Sequence, residues 1–466
     1  MIVHATANSP AHAGLQLERD SVYRKVAFHT MPFLMLCYVA AYLDRINIGF
    51  AKLHMLADLG FSDAVYGLGA GLFFIGYLIF EVPSNLWMMR IGAKKTISRI
   101  MILWGLISAA FSFVETPTQF YVLRFLLGAA EAGFYPGVIL YLTYWFPADR
   151  RAKMVALFVG AVPLSGMIGA PLSGAIIEFG HGGHWTTLLS LRDLLPEGGF
   201  ALGAARRAHA LAGWQWMFII ESVPSLILGL LCLKYLSDGP ADAKWLSECE
   251  RALIERELAS EQAASRHDKS ATSLAAALGD RRVWKMTCIC FCSAICSYGV
   301  SFWLPTLVQQ LNVGDVMHVG WYTAVPFTAA FVVMYLIGRS SDRLRERRWH
   351  LVGPFACVCA GLAGSVWAHD SMGLALLALT VAAIGAYSTT SMLFSIPGLF
   401  LSGVGMAAGV AMINCFGGLG GFVSPYVVGV VKDMTGSTDN GVFFIACVAI
   451  VGAGLTLTLP PKLVNR

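Results

Sequence analysis

Residues 65–88 read VYGLGAGLFFIGYLIFEVPSNLWM, and Glu81 is the one charged residue in this run. A helix that crosses the hydrocarbon core of a bilayer needs about 20 mostly apolar residues. The run is long enough and apolar enough to form such a helix. The fold prediction then depends on how often runs of this kind recur along the chain.

Twelve such runs follow one another, and we number them as spans 1 to 12 in chain order. Their predicted bounds are 28–51, 65–88, 99–115, 119–146, 153–178, 214–236, 285–310, 319–338, 349–368, 372–398, 403–431 and 440–459. One long polar stretch divides them into two sets of six, a layout typical of duplicated membrane folds. We therefore predict an all-α membrane protein. Its predicted segments are an N-terminal tail (1–27), a first six-helix half (28–236), a central loop (237–284), a second six-helix half (285–460) and a C-terminal tail (461–466).

The composition excludes other classes of protein. Hydrophobic residues make up 57% of the 466 residues, charged residues make up 13%, and the mean hydropathy is +0.65. Soluble domains carry about 25% charged residues, so a soluble chain is excluded. Disordered chains and nucleic-acid-binding domains are excluded by the same numbers. The net charge of +5 instead reflects the lysines and arginines of the segments between spans.

Most lysines and arginines fall in segments on one side of the predicted helices, which marks that side as cytoplasmic. Both termini and the central loop lie on this side, in the inner (plasma) membrane. The eleven cysteines lie mostly within spans, so we expect neither disulfides nor a metal site. One amphipathic helix in the central loop is expected to tie the two halves together. The outer segment 179–213 is expected to be a passive loop, with a lid as the alternative.

Six charged residues lie inside the spans of the first half away from the span ends, whereas the second half has none in such positions. Placing such a residue there costs about 2.5–3.5 kcal/mol on insertion scales, so it must be paired or face water. A functional role is therefore the first hypothesis for each. The six residues are Asp44, Arg45, Glu81, Arg124, Glu131 and Glu221.

The spacing of these charges suggests a shared site. Arg124 and Glu131 are seven residues apart, so they lie two turns apart on one face of span 4. Asp44 and Arg45 are adjacent and point about 100° apart, so one can face a cavity while the other faces a neighbouring helix. The two arginines suit a carboxylate ligand, because the guanidinium fork matches a carboxylate. The two acids suit proton carriage.

The charge balance indicates coupling. The acids Asp44 and Glu131 and the two arginines have no net charge when all four are ionised. A bound anion would make the site negative and favour uptake of a proton, so that anion and proton travel together. The alternative is a static buried ion network. For Glu81 and Glu221, which lie nearer to span ends, we favour a role as a gate or a packing partner.

The second half offers polar and aromatic groups in place of charges. Taken singly, each more often serves helix packing. As a set that faces the charged first half, they could bind the part of a ligand other than its carboxylate. These residues are Tyr298, Trp303, Ser388, Ser391, Ser395 and Asn414. The strings Gly67-x-Gly69-x-Gly71 and 417–421 lie inside apolar spans, so they indicate close helix packing rather than a dinucleotide fingerprint. No nucleophile–base arrangement points to an enzyme.

Several of these stretches together resemble the major facilitator superfamily and, within it, the anion:cation symporter family. The matching motifs are YLDRINIGFA at 42–51, FEVPSNL at 80–86, RIGAKK at 90–95, RFLLGAAEAGFYPG at 124–137, GRSSDR at 338–343, and AMIN with LGGF at 411–414 and 419–422. The resemblance covers nearly all of 24–460. It implies a twelve-helix transporter of organic anions such as sugar acids, tartrate, phthalate and hydroxyphenylacetate, moved together with protons.

The resemblance also implies roles for particular residues. Asp44 and Glu131 would carry the proton, and Arg45 and Arg124 would serve the substrate anion. Tyr77, Ser391 and Asn414 would join the site, and Tyr298 with Phe394 completes our candidate set. Phe394 stands where many members carry tryptophan, and Gly418 where a second asparagine is usual. These departures leave the shape of the substrate open. The inner motifs are expected to control the conformation through Arg90, Lys94, Asp342 and Arg343, together with Glu81.

The predicted function is therefore a proton-coupled symporter that imports a small organic carboxylate by alternating access. A tartrate-like hydroxy-dicarboxylate, a sugar acid or an aromatic acid such as phthalate is favoured. The alternative is a proton-linked exporter or exchanger of a drug or metabolite. A nutrient sensor or a membrane enzyme fits less well. No cofactor is expected apart from the proton as coupling ion, no nucleic acid as partner, and a monomer is the family default.

Overall fold

The structure is a computed structural model that describes residues 10–181, 211–267, 279–401 and 403–465. The helices of spans 1 to 6 are Pro10–Leu59, Asp63–Ile91, Ala93–Ala110, Pro117–Glu131 with Phe134–Thr143, Ala148–Val159 with Ala161–His181, and Gly213–Tyr235. Those of spans 7 to 12 are Arg281–Gln309, Val316–Leu344, Trp349–Trp367, Met372–Leu393, Gly403–Gly418 with Gly420–Thr435, and Thr438–Leu457. The prediction of an all-α membrane protein with twelve spans is confirmed, because twelve helices are long and apolar enough to cross a bilayer.

An even number of spans places both ends of the chain at the same face of the molecule. We call this the terminal face and the opposite one the distal face. Span 1 runs on to Leu59, eight residues beyond its predicted end. Three predicted spans are interrupted rather than continuous helices. Span 4 breaks at Gly133, where φ is +89°, span 5 at Gly160 and span 11 at Leu419.

Local sequence explains where the helices of the first half begin. The Ser62 hydroxyl accepts the Val65 amide and so caps span 2. At the start of span 4, Thr116 and Gln119 form a reciprocal capping box ahead of Pro117, the residue type preferred at a first helical position. These caps satisfy backbone amides that have no partner within the helix.

The glycine strings allow close contact between helices, as the sequence predicted. A Cβ atom at Gly67 would overlap the Pro425 backbone, and one at Gly71 would overlap Phe422. These contacts hold span 2 of the first half against span 11 of the second. Gly174 and Gly320 bring spans 5 and 8 together in the same manner. Both pairs of helices meet nearer the distal face, so the two halves are closed together there.

The helix of the central segment, Glu248–His267, packs on the first half alone in its described contacts. Arg19 pairs with Glu257 at 2.8 Å, Lys25 with Glu250 at 2.7 Å, and Trp245 packs against His29 with ring centroids 4.2 Å apart. These described contacts do not support the expectation that this helix ties the halves together. Basic side chains on span 1 stand opposite its acidic side chains, so charge complementarity draws it to one half.

Two other expectations concern the distal segment and the cysteines. Most of the segment 179–213, predicted to be a loop or lid, lies outside the described residues. All eleven cysteines are free thiols. Within the described ranges, no three His, Cys, Asp or Glu side chains are grouped so as to hold a metal ion.

Candidate functional site

The central feature is an ion pair between spans 1 and 4. The Arg45 guanidinium pairs with the Glu131 carboxylate, and both side chains are buried, with 8% and 4% exposed. Arg45 also donates a hydrogen bond of 3.2 Å to the Tyr298 hydroxyl of span 7. The pair therefore lies where the first half meets the second. Aromatic rings of Tyr42 and Phe73 flank the guanidinium at 5.1 and 5.0 Å.

Tyr77 completes the aromatic surroundings of this pair. Its ring lies 5.7 Å from the Arg45 guanidinium, and the side chain is half-buried. Tyr77 is one turn beyond Phe73 on span 2, so the two rings follow one helix face. The structure thus brings Arg45, Glu131, Tyr77 and Tyr298 of the predicted site together.

Arg124 has a different environment. Its Nε donates a long hydrogen bond of 3.4 Å to the Gly69 carbonyl, and its Nη2 has no partner. The side chain is 1% exposed and lies 5.2 Å from the Phe73 ring. Within the described chain, Arg124 forms no ion pair, so the shared helix face did not lead to a bond with Glu131. A buried guanidinium with a free N–H group is suited to bind an anion.

Close packing of spans 2 and 4 holds these groups in place. A Cβ atom at Gly128 would overlap the Phe73 carbonyl, and one at Gly76 would overlap the Phe125 carbonyl. Larger residues at either position would separate the helices. The glycines therefore let Arg124 reach over Phe73 and Glu131 reach Arg45.

Asp44 faces away from this ion pair. Its carboxylate accepts hydrogen bonds from Ser108 of span 3 at 2.7 Å and from Ser225 of span 6 at 2.9 Å. It is 2% exposed. Since adjacent residues of a helix diverge by about 100°, Arg45 enters the site while Asp44 enters the interior of the first half. The two predicted proton carriers thus occupy separate environments.

Glu81 connects the halves on the terminal side of the ion pair. Asn414 of span 11 donates to its carboxylate at 2.9 Å, and the Cys415 thiol lies 3.3 Å from its other oxygen. Glu81 is one turn beyond Tyr77 on span 2. Asn414, predicted to contact a ligand, is therefore engaged by a first-half carboxylate.

Span 10 contributes Ser391 and Phe394, which are half-buried. They are three residues apart and so share a helix face. Sequence reasoning missed the hydroxyl network beside them, in which Thr390 bonds with Ser297 at 2.9 Å and with Ser293 at 3.2 Å. Serine and threonine repeating at helical spacing in facing spans would have signalled it. Of the other predicted groups, Ser388 is buried without a partner.

A charged cluster at the distal face was also missed. Asp63 pairs with Lys52 at 2.7 Å and with Lys432 of the second half at 2.9 Å. The Lys52 ammonium lies 3.2 Å from the centroid of the Trp303 ring. Asp433 accepts the Asp63 amide at 3.0 Å and so caps span 2 from the opposite half. Sequence reasoning placed Lys52 in a loop, but the longer span 1 buries it here.

Apart from Glu81, the predicted control residues do not bridge the halves in their described contacts. Arg90 and Arg343 are exposed. The Lys94 backbone amide donates to Asp238 at 2.9 Å, and Asp342 pairs with Arg347 at 2.9 Å. Neither of these bonds joins the first half to the second. The terminal side is therefore held together less tightly than the distal side.

Comparison with known proteins agrees with this architecture. The family model of the Major Facilitator Superfamily matches residues 34–425. A protein of Agrobacterium vitis named as a tartrate transporter is 45% identical over 438 residues, which cover 94% of this chain and 91% of that protein. A protein of Acinetobacter baumannii named as a quinolone resistance transporter is 38% identical over 449 residues, covering 96% and 97%.

A solved structure of a D-xylose-proton symporter is similar in fold. The TM-score is 0.70 at 13% identity, and the match covers 94% of this chain and 99% of that one. At this identity the likeness concerns the arrangement of helices alone.

Proposed function

The chain belongs to the Major Facilitator Superfamily, and we propose that it is a proton-coupled symporter that imports a small organic carboxylate. As a member, it is a multi-pass membrane transporter of an organic small molecule. The proposal adds the coupling ion, the direction and the class of substrate. The observation that carries it is the buried Arg45–Glu131 pair, with Arg124 unpaired nearby.

The ion pair gives a physical reason for coupling. While Glu131 is ionised, it pairs with Arg45, and the pair has no net positive charge to attract an anion. A proton on Glu131 neutralises its carboxylate and frees the Arg45 guanidinium. A carboxylate ligand can then take the place of Glu131 as the partner of Arg45. A buried arginine without an anion is costly, so protonation and anion binding favour one another. The two species would therefore cross the membrane together.

The substrate class follows from the groups around the arginines. Arg124 and Arg45 lie 5.2 and 5.0 Å from the same Phe73 ring, so two carboxylates of one small molecule could each meet a guanidinium. Hydroxyl-bearing residues of span 10 and its neighbours suit ligand hydroxyls, and Phe394 suits an apolar or aromatic part. A tartrate-like hydroxy-dicarboxylate, a sugar acid or an aromatic acid such as phthalate meets these conditions.

Transport would proceed by alternating access, in which the two halves rock around the central site. The Asp63–Lys432 bridge and the glycine contacts close the distal side. We assign the terminal face to the cytoplasm, because the basic residues concentrate there. The described state is then inward-facing. In the outward-facing state the distal bridge would open, and Arg90, Lys94, Asp342 and Arg343 would help to close the terminal side, where Glu81 already bonds Asn414 across the halves.

The remaining parts of the proposal concern the setting. The protein would lie in the inner membrane with both termini in the cytoplasm and work as a monomer. It would need no cofactor, with the proton as its coupling ion. The substrate site would consist of Arg45, Arg124, Tyr77, Tyr298, Ser391, Phe394 and Asn414, and proton coupling would involve Asp44 and Glu131.

The test is uptake of labelled tartrate, phthalate and galactonate into proteoliposomes, with and without an imposed inward proton gradient. We expect gradient-driven accumulation by the parent protein. Glu131→Gln should lose accumulation and keep exchange of substrate across the membrane, because the variant site is permanently neutral at this position. Glu115→Gln, at an exposed loop position, is the matched control and should behave as the parent. Accumulation that ignores the gradient would overturn symport.

A second candidate is a proton-linked exporter or exchanger of a drug or metabolite, favoured by the similarity to the quinolone resistance transporter. The same vesicles distinguish the two. An exporter would drive a preloaded compound against its gradient as protons move in the opposite direction.

A further inference from the structure

Glu221 is a buried acid with no role in the mechanism above. It lies in span 6 and is 1% exposed. The Ser173 hydroxyl of span 5 donates to its Oε1 at 2.6 Å, whereas Oε2 has no partner. Within the described chain, no lysine, arginine or histidine forms an ion pair with it. An ionised carboxylate without a cation is costly at membrane depth, so Glu221 holds a proton in this state.

The surroundings of the unpaired oxygen fit a protonated carboxyl group. Asn47 of span 1 lies beside Glu221, is 0% exposed and has neither side-chain atom satisfied by a hydrogen bond of normal geometry. A neutral carboxyl group can donate its O–H to the Asn47 carbonyl, which an ionised one cannot. A single proton on Oε2 thus gives a partner to two of the unsatisfied buried atoms, Glu221 Oε2 and Asn47 Oδ1, and leaves Asn47 Nδ2 without one.

Glu221 and Asp44 belong to the same small group of residues. Asn47 is one turn from Asp44 on span 1, and Ser225 is one turn from Glu221 on span 6. Ser225 in turn donates to Asp44 at 2.9 Å. The two carboxyl groups and the two residues between them therefore form a closed ring across spans 1 and 6. Ser225, the partner of Asp44, lies one turn from Glu221, and Asn47, the neighbour of Glu221, lies one turn from Asp44.

We propose that Glu221 is a further proton-carrying residue, which shares an exchangeable proton with Asp44 inside the first half; this rests on the proposed symport. In the exchange the O–H bond on Glu221 breaks, an O–H bond on Asp44 forms, and the negative charge moves from Asp44 to Glu221. No other atom changes its bonding. Two neighbouring buried carboxyl groups without a cation disfavour a second negative charge, so in this proposal the pair carries one or two protons and at most one negative charge.

Few other charged side chains on the helices around Glu221 are free to interact with it in place of Asp44. On span 1, Arg45 is committed to Glu131, Lys52 to Asp63, and Asp58 to the Trp214 indole. On spans 3 and 5 the charges lie toward the helix ends. These are Lys94, Lys95 and Arg99 on span 3, and Asp149, Arg150, Arg151, Lys153 and Glu178 on span 5. Asp44 is thus the acid with which Glu221 interacts.

The first test needs no substrate. Infrared difference spectra of the full-length protein in lipid, titrated from acid to alkaline pH, report the C=O stretch of protonated carboxyl groups. We expect a titrating band that is lost in Glu221→Gln, shifted in Glu221→Asp and kept in Glu178→Gln. The control residue is a half-buried acid near the distal end of span 5. Spectra that are the same in Glu221→Gln and the parent would overturn the proposal.

The second test measures transport by the same variants with labelled tartrate as the probe. The number of protons taken up per substrate should fall by about one in Glu221→Gln, with a shallower dependence of uptake on pH. Glu221→Asp should restore the parent ratio, which a purely structural role would not require. If the parent shows gradient-driven uptake and Glu221→Gln matches its ratio and pH dependence, the inference fails and symport stands. If the parent shows no gradient-driven uptake, both fail.

Discussion

Arg45 of span 1 and Glu131 of span 4 form a buried ion pair at the boundary between the two halves. The pair links the charged first half to Tyr298 of the second through the same guanidinium. An ion pair in this place can respond both to a proton and to an anion. Under the proposed symport, coupling would depend on which partner Arg45 has at each stage of the cycle.

Removal of one member of this pair should be worse than removal of both. Arg45→Gln leaves Glu131 buried without a cation, and we expect a loss of about 3–5 kcal/mol of stability. The double variant Arg45→Gln/Glu131→Gln should regain much of this. Thermal melting of the purified protein gives the comparison. A loss in the double variant equal to the sum of the losses in Arg45→Gln and Glu131→Gln would show that the pair contributes no coupling energy.

Arg124 should matter for affinity rather than for stability. It has no ion-pair partner among the described residues and only a long hydrogen bond to the Gly69 carbonyl, so Arg124→Gln removes a cation whose charge only an anionic ligand would neutralise. A charge-assisted hydrogen bond is worth about 1.5–3 kcal/mol, which corresponds to an affinity loss of about 10- to 100-fold. The KM for carboxylate uptake measures it. Arg24→Gln, at an exposed position before span 1, should leave KM unchanged.

The distal cluster should control the conformation. Asp63→Asn deprives both Lys52 and Lys432 of their anion, and Lys52 is only 3% exposed. We expect a shift away from the distal-closed state. Distances between spin labels placed on the distal ends of spans 2 and 11 would report it. Asp370→Asn, an exposed distal position, is the control, and an unchanged distance distribution in Asp63→Asn would contradict the assignment.

The Glu81–Asn414 bond should be replaceable by an equivalent one. Asn414→Asp places two acids together, and we expect impaired uptake and a lower melting temperature. Adding Glu81→Gln should rescue both, because the glutamine amide can donate to the new carboxylate. Asn440→Asp, at an exposed site on span 12, should have little effect. A double variant no better than the single would mean that the two side chains do not interact.

The central helix should loosen at low pH. Lys25 lowers the pKa of Glu250 through their hydrogen bond and ion pair. A depressed pKa in the docked state stabilises docking above the ordinary glutamate pKa, and this stabilisation is lost as the pH falls through the docked-state pKa. The mobility of a spin label at position 252 should therefore rise on acidification. Glu250→Gln should show higher mobility at neutral pH and less dependence on pH, and a small effect is expected for an exposed pair.

The sequence alone determined the twelve spans, the division into halves and the unequal distribution of membrane charges. These properties are local, since insertion cost depends on the residues of one helix and the bilayer. The spacing of seven residues also placed Arg124 and Glu131 on one face of span 4. The helical period fixes the direction in which each side chain leaves its own helix. For this reason most of the predicted site residues lie near one another.

Only the tertiary structure decided which groups meet. Glu131 pairs with Arg45, 86 positions away, rather than with Arg124 on its own helix face. Glu81 meets Asn414 across 333 positions, and Lys52 is buried in a membrane helix rather than exposed in a loop. The described contacts of the central helix are with the first half. Each outcome depends on how the helices rotate and how closely they approach one another. Glycine contacts, such as that of Gly128 with Phe73, determine this approach. No sequence pattern within a single span carries that information.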